Sequence, residues 1–98
     1  MNELSWIQHW YQKQSDGKWE HQYGVEIGTL DNPGWRVEID GLTADSISSL
    51  PRQHAEEDSE TSWVKCSLSD GKFQGHGGPQ SLEKIINIFR TWIDPESL

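Results

Sequence analysis

The side chains that could perform chemistry are four histidines and a single cysteine, spread along the chain. They are His9, His21, His54, His76 and Cys66. A zinc site usually draws two ligands from one short segment, with spacings such as Cys-x-x-Cys or His-x-x-x-His. No pair here has such a spacing, and the Gly-x-Ser-x-Gly motif of a nucleophilic serine is absent. The sequence therefore predicts no metal site, no cofactor and no catalytic residue.

Glu20 and His21 form an adjacent acid and base. Both fall in a predicted strand, where neighbouring side chains point to opposite faces, so we expect them to lie apart. His21 shares the apolar face with Trp19, which favours a structural, hydrogen-bonded histidine. An alternative stays open: a small ligand-binding domain or enzyme whose pocket is lined by Trp19, His21 and nearby carboxylates.

The charge of the chain restricts its partners. Its 98 residues carry a net charge of −8, which disfavours nucleic acids and anionic membranes because both are negatively charged. The excess is concentrated in residues 40–60, where six carboxylates oppose Arg52 alone. Such a run is commonly a solvated loop, and it could also form a docking surface for a basic partner.

Length and composition indicate one domain over residues 1–98, with a modest core helped by six tryptophans. A lone cysteine cannot form an internal disulfide, so an oxidising compartment is not implied. The first residues lack a signal-peptide pattern, and no window approaches about 20 consecutive apolar residues. We therefore expect a cytoplasmic protein.

The first third of the chain predicts a helix and a hairpin. Apolar residues at spacings of three and four predict a helix over residues 3–13, capped by Asn2, with its apolar face formed by Leu4, Ile7, Trp10 and Tyr11 and with room for Trp6 to widen it. Alternating residues then predict one strand over 19–30 and another over 35–40. The apolar residues of both strands share a face only if the connecting loop has an odd number of residues. We expect three or five, with Gly34 at a positive φ.

A second hairpin is predicted where Asp70-Gly71 separates two alternating segments. As the centre of a two-residue type I′ turn, this pair places Leu68 opposite Phe73 and Cys66 opposite Gly75. The apolar residues then share one face. Cys66 is expected to be a small core residue.

The fold class that follows is α+β. Residues 81–93 predict a C-terminal helix with one apolar face, and no strand-helix-strand crossover is evident. We expect an antiparallel sheet of about four strands, in two hairpins, packed by an N-terminal and a C-terminal helix. Residues 41–60 are expected to form an acidic loop whose composition allows mobility, with room for a short strand at 46–50.

Several short runs of this sequence are shared with a known family. They are Trp10-Tyr11, Asp16-Gly17-Lys18-Trp19-Glu20-His21-Gln22-Tyr23-Gly24, Thr29-Leu30-Asp31-Asn32-Pro33-Gly34-Trp35, Phe73-Gln74-Gly75, and the Gly77-Gly78 pair before the last helix. On these residues the chain resembles the immunity protein 53 family of bacterial polymorphic toxin systems. The resemblance covers nearly the whole chain apart from residues 42–60. It implies a small cytosolic protein, not an enzyme, that binds and neutralises a cognate toxin.

An immunity protein requires a surface complementary to its toxin. If the toxin is basic, as a nuclease would be, an acidic surface would steer association and could occupy the place of the substrate. The first candidates for toxin binding are Asp45, Glu56, Glu57, Asp58 and Glu60. The second candidates, on the exposed side of the first hairpin, are Glu20, Glu26, Asp31 and Glu38. The chain itself is expected to be a monomer or a weak homodimer paired through a sheet edge.

Overall fold

The computed structural model describes residues 1–42 and 52–97. Its helices and strands in chain order are α1 (Glu3–Gln14), α2 (Trp19–Gln22), β1 (Val25–Leu30), β2 (Gly34–Ile39), β3 (Arg52–Glu57), β4 (Trp63–Ser69), β5 (Lys72–Gly77) and α3 (Leu82–Ile93), followed by a 3-10 turn at Pro95–Ser97. Asp45 and the possible strand at 46–50 lie outside the described residues.

The five strands form one antiparallel sheet in the order β1-β2-β5-β4-β3. The α+β class, the antiparallel sheet and the two terminal helices are confirmed. The expected number of about four strands is corrected to five. The extra strand is β3, which lies in the stretch predicted to be an irregular loop. Its side chains are almost all exposed, so no apolar alternation marked it in the sequence. The one-domain organisation stays a prediction.

The β4–β5 hairpin has the predicted register. Leu68 pairs with Phe73 and Cys66 pairs with Gly75. Asp70 and Gly71 both adopt positive φ, 53° and 75°, as a type I′ turn requires. Local sequence was sufficient here because the turn alone sets the register.

The β1–β2 hairpin confirms the odd loop length and has the shorter of the two expected loops, three residues, since Leu30 pairs with Gly34 across residues 31–33. The predicted positive φ at Gly34 is wrong, because Gly34 is the first residue of strand β2 and is not among the glycines with positive φ. Glycine is required there for space: an added Cβ would lie against the carbonyl oxygen of Gly77.

The first strand is shorter than predicted, because residues 19–22 form helix α2. Asp16 accepts the backbone N–H groups of Lys18 and Trp19 at 2.9 Å each. Glu20 accepts those of Asp16 and Gly17 at 3.0 Å. These local side-chain bonds favour a helical turn over an extended strand. The alternation from Trp19 onward was therefore misleading.

The core lies between one face of the sheet and the two long helices. Helix α3 packs on β2, β4 and β5, and α1 packs on α3. Phe89 of α3 contacts the rings of Phe73, Trp6 and Trp10, with centroids 5.0 to 5.8 Å apart. Trp19 and Trp35 are partly buried and pack against this core.

The buried face of α1 matches the predicted one at Ile7 and Trp10, includes Trp6, and excludes Leu4 and Tyr11. Asn2 caps the helix as expected, accepting the N–H of Ser5 at 2.8 Å. Trp6 is buried, whereas Leu4 and Tyr11 are 61% and 42% exposed. Helix α1 turns Trp6 and Trp10 towards Phe89 of α3, and Trp10 and Tyr11 also contact Trp19 of α2.

A buried ion pair joins α1 to α3. Arg90 is 3% exposed, and its Nη1 lies 3.0 Å from the Glu3 carboxylate and 2.9 Å from the Met1 carbonyl oxygen. Its Nε donates to the Ser97 hydroxyl at 2.9 Å. Truncating either partner of such a pair would leave an uncompensated buried charge. The sequence reasoning missed it, although a charge between Phe89 and Trp92 was a usable signal.

We expect Gly34→Ala to lower the free energy of unfolding by about 1 to 3 kcal/mol, because the new Cβ would overpack the backbone contact with Gly77. Urea denaturation measures this. The matched control is Gly24→Ala, where an added Cβ would meet no atom within 4 Å. Equal stability of the two variants would contradict the close approach of these strands.

Candidate functional site

Four of the candidate carboxylates lie at one end of the sheet. The β1–β2 loop (31–33) and the β3–β4 turn (58–62) flank an open depression of about 810 Å³. Its lining includes Asn32, Glu57, Ser59, Glu60, Trp63 and Lys65. We call the exposed carboxylates of Asp31, Glu57, Asp58 and Glu60 the acidic end.

Hydrogen bonds hold the turn that carries Asp58 and Glu60. The N–H of Asp58 donates to the carbonyl oxygen of Ser62 at 3.0 Å. The N–H of Gln80 donates to the carbonyl oxygen of Thr61 at 3.2 Å, which ties the turn to the segment before α3. A partner that binds these carboxylates would pay little for ordering the backbone beneath them.

The carboxylates of the acidic end have no cation at ion-pair distance among the described residues, although Lys65 lines the same depression. The contact with Glu56, and to a smaller degree the charge of Asp58, raises the pKa of Lys84. Neighbouring like charges create a negative potential that a basic partner would relieve. This end therefore presents negative charge to the solvent.

Glu56 has a different role from its neighbour Glu57. Its carboxylate lies 2.8 Å from His54 Nε2 and 2.9 Å from Lys84 Nζ, so it connects β3 to α3. The hydrogen bond from His54, and then that from Lys84, lowers the pKa of Glu56, and the same contact raises the pKa of Lys84. The sequence placed Glu56 on an open docking loop, whereas it is engaged within the fold.

Glu56→Gln should remove an acid-sensitive part of the stability. Because the pKa of Glu56 is lower in the folded than in the unfolded chain, its ionised form stabilises the fold above the unfolded pKa, near 4.5. That contribution is lost as the pH falls through the lower, folded pKa. The parent should therefore be more stable than Glu56→Gln at about pH 7, and the difference should shrink towards about pH 3.

Urea denaturation across this pH range checks the expectation. Glu57→Gln is the control, since Glu57 is adjacent in the same strand and forms no ion pair with the described residues. A stability difference for Glu56→Gln that does not change with pH would argue against the ion pair.

The remaining described candidates are separate from the acidic end. Glu26 and Glu38 face each other near the opposite end of the β1–β2 pair. Arg36 lies 3.7 Å from each of them, and Lys72 lies 3.9 Å from Glu38. Glu20 is half-buried, and its pKa is lowered by hydrogen bonds from its own N–H, then those of Gly17 and Asp16. Glu20 and Glu38 are thus engaged by contacts within the chain, whereas Glu26 stays mostly exposed beside Arg36.

His21 was predicted to lie on the apolar face of a strand, and this is wrong. It lies on α2 with its side chain exposed. It borders an open depression of about 560 Å³ that Glu26, Glu38 and Asp40 also line. Asp40 accepts the N–H of Gly24 at 2.8 Å. The described hydrogen bonds include none between His21 and a carboxylate, so this depression has no assembled acid and base.

Cys66 is buried between Val64 and Leu68 on the inner face of the sheet. Burial first, and the charge of Glu56 second, raises the pKa of its thiol to about 12. The nucleophilic thiolate is therefore scarce at physiological pH. Cys66 packs as a small apolar residue, as predicted.

Native Cys66 should not react measurably with a chromogenic disulfide reagent at about pH 8, because its thiol is buried and protonated. Reaction should appear once denaturant unfolds the chain. The control is the Cys66→Ala, Ser69→Cys double variant, which carries its thiol at an exposed position and should react at once. Rapid labelling of the native parent would disprove this burial.

Across residues 1–42 and 52–97, no three His, Cys, Asp or Glu side chains come together to hold a metal ion. Nor does any helix in these ranges have the length and apolar character needed to cross a membrane.

A protein-family model described as immunity protein 53 matches residues 4–94. The match runs from α1 through the end of α3 and so includes both hairpins. No curated protein and no solved structure matches the chain.

Proposed function

Because the chain belongs to the immunity protein 53 family, it is an immunity protein, and we propose that it neutralises a cognate toxin by binding it at the acidic end. The observation that supports this site is the group of four exposed carboxylates without described ion pairs, carried by two neighbouring connections. No catalytic step is required, since a stable complex is enough to inhibit the toxin.

The charge of the acidic end suits a basic toxin domain, such as a nuclease. A cationic surface that attracts phosphates would also attract these carboxylates, which would speed association and compete with the substrate. We propose that the encounter takes place in the cytoplasm, where the producing cell must be protected.

Trp63 offers an apolar anchor within the same site. It begins β4, is half-buried and lines the depression at the acidic end. Aromatic side chains surrounded by polar groups frequently carry much of the binding energy of protein interfaces. We propose that Trp63 supplies contact area while the carboxylates supply orientation and rate.

The other candidates take secondary places in this proposal. Glu26 and Glu38 are balanced by Arg36 and Lys72, so their removal should affect binding less than removal of Glu57 or Glu60. Glu20 and Glu56 stabilise the fold through their own contacts. Asp45 stays a candidate for toxin binding.

The double variant Glu57→Lys, Glu60→Lys should associate with the toxin encoded beside it about tenfold or more slowly at low salt, because the steering charge is reversed. Its melting temperature should stay close to that of the parent, since both side chains are exposed. Stopped-flow association and thermal denaturation measure the two effects.

The matched control changes the net charge equally at a distant place. Gln8→Lys, Gln12→Lys and Glu96→Lys are exposed substitutions on α1 and the final turn, and together they alter the charge as much as the double variant. If the control slows association as strongly as the double variant, net charge matters and the acidic end is not the docking site. A parent that forms a one-to-one complex in size-exclusion chromatography would support the monomeric form.

The second candidate function is a ligand-binding or catalytic pocket at the depression beside His21. It is favoured by the imidazole and the three carboxylates that border this depression. Co-expression separates the two functions. The parent and His21→Ala should both restore growth of cells that produce the toxin. Loss of protection by a correctly folded His21→Ala would favour the pocket.

A further inference from the structure

The outer face of the sheet is not covered by a helix in the described part of the chain. Both long helices lie on the inner face, where Val37, Phe73 and Leu68 are buried. The alternate residues of each strand point outward. This outer face is built mainly from polar side chains, and their positions follow from the strand register.

The register aligns one residue from each strand in a row across this face: Gly28, Arg36, His76, Lys65 and Ala55. Side chains directly opposite each other in an antiparallel pair have Cβ atoms about 5 Å apart. Arg36, His76 and Lys65 are therefore consecutive neighbours, and we call them the basic row. The residues that flank the basic row on either side, Gly28 and Ala55, have no side chain or only a methyl group.

The basic row is unusual in a chain with eight Lys and Arg against sixteen Asp and Glu. Arg36 is balanced by Glu26 and Glu38 at 3.7 Å each. Lys65 forms no ion pair with any described residue, and the neighbours of His76 across both strands are cations.

The basic row adjoins the acidic end. Lys65 lines the depression there, and together with His76 it also lines a second open depression of about 460 Å³ on the outer face. Gln53, Ser67 and Gln74 border this second depression and can donate hydrogen bonds. One partner could therefore cover both places with a continuous footprint.

We infer that the basic row binds a carboxylate side chain of the toxin between Lys65 and His76, so that the toxin surface carries both signs of charge. The basic part of that surface faces the acidic end, and an acidic residue beside it faces the basic row. This inference rests on the proposed function. Alternating signs would fix the orientation of the complex and exclude partners that are basic throughout.

A carboxylate suits the basic row better than a nucleic acid does. A polyanion would have to approach a protein of net charge −8, past the acidic end, and would be repelled at long range. A single carboxylate on an otherwise basic partner meets no such repulsion. Its two oxygens match the donors of Lys65, His76 and the neighbouring amides.

The first test needs no toxin. The ¹⁵N-labelled chain is titrated at low salt with a blocked peptide that carries one glutamate between lysines, a blocked hexalysine peptide and hexathymidylate DNA. The glutamate-containing peptide should cause saturable shifts at His76, Lys65 and Arg36 that hexalysine does not cause, whereas both peptides should shift the acidic end. Absence of these shifts at the basic row would overturn the inference, and so would equal or tighter binding of the DNA there.

The second test measures toxin affinity. Lys65→Glu should weaken binding at least tenfold and Lys65→Gln by a smaller factor, while Lys18→Glu, an exposed control with the same charge change, should have little effect. Unaltered affinity in both Lys65 variants would overturn the toxin contact. If the parent fails to bind the toxin but binds the glutamate-containing peptide at the basic row, the proposed function fails and the carboxylate-binding surface stands.

Discussion

Helix α3 approaches the sheet closely because β5 offers glycine beneath it. Ile85 is fully buried over Gly75 and Gly77, and a Cβ at Gly75 would occupy the place of its side chain. The contact of Ile85 with these two glycines sets the position of α3 on the sheet. One position earlier, Lys84 reaches Glu56 on the edge strand, and one turn later Phe89 meets the aromatic rings of α1. The contact between Ile85 and two glycines thus sets where α3 meets both the edge strand and the N-terminal helix.

The parts of this fold that sequence predicted are those set by neighbouring residues. Asp70-Gly71 dictates its turn, and the parity argument gave the odd loop length of the first hairpin. The errors arose where distant contacts decide. The edge strand β3 has few buried side chains, so only its pairing with β4 reveals it. Gly34 was predicted to need a positive φ, whereas glycine is required there because the backbone of β5 at Gly77 leaves no space for a side chain.

The sequence predicted which charged residues form the candidate site, but it did not predict which of them face the solvent together. The acidic stretch was visible as a run of charges, but sequence could not separate Glu56, which bonds to α3, from Glu57, which points the other way. Alternation along a strand makes that distinction once the strand is known. The basic row was invisible for the same reason. Arg36, Lys65 and His76 are far apart in the chain, and only the strand order makes them neighbours.

The ion pair between Arg90 and Glu3 has a consequence for the order in which the chain folds. Each hairpin closes over a few residues, and such local structures form within about 1–10 μs. Glu3 and Arg90 are 87 positions apart, so their contact needs closure of almost the whole chain. Until α3 is present, Trp6 and Trp10 lack the ring of Phe89 that covers them. During synthesis, the N-terminal helix must therefore wait, with its tryptophans uncovered, until α3 has left the ribosome.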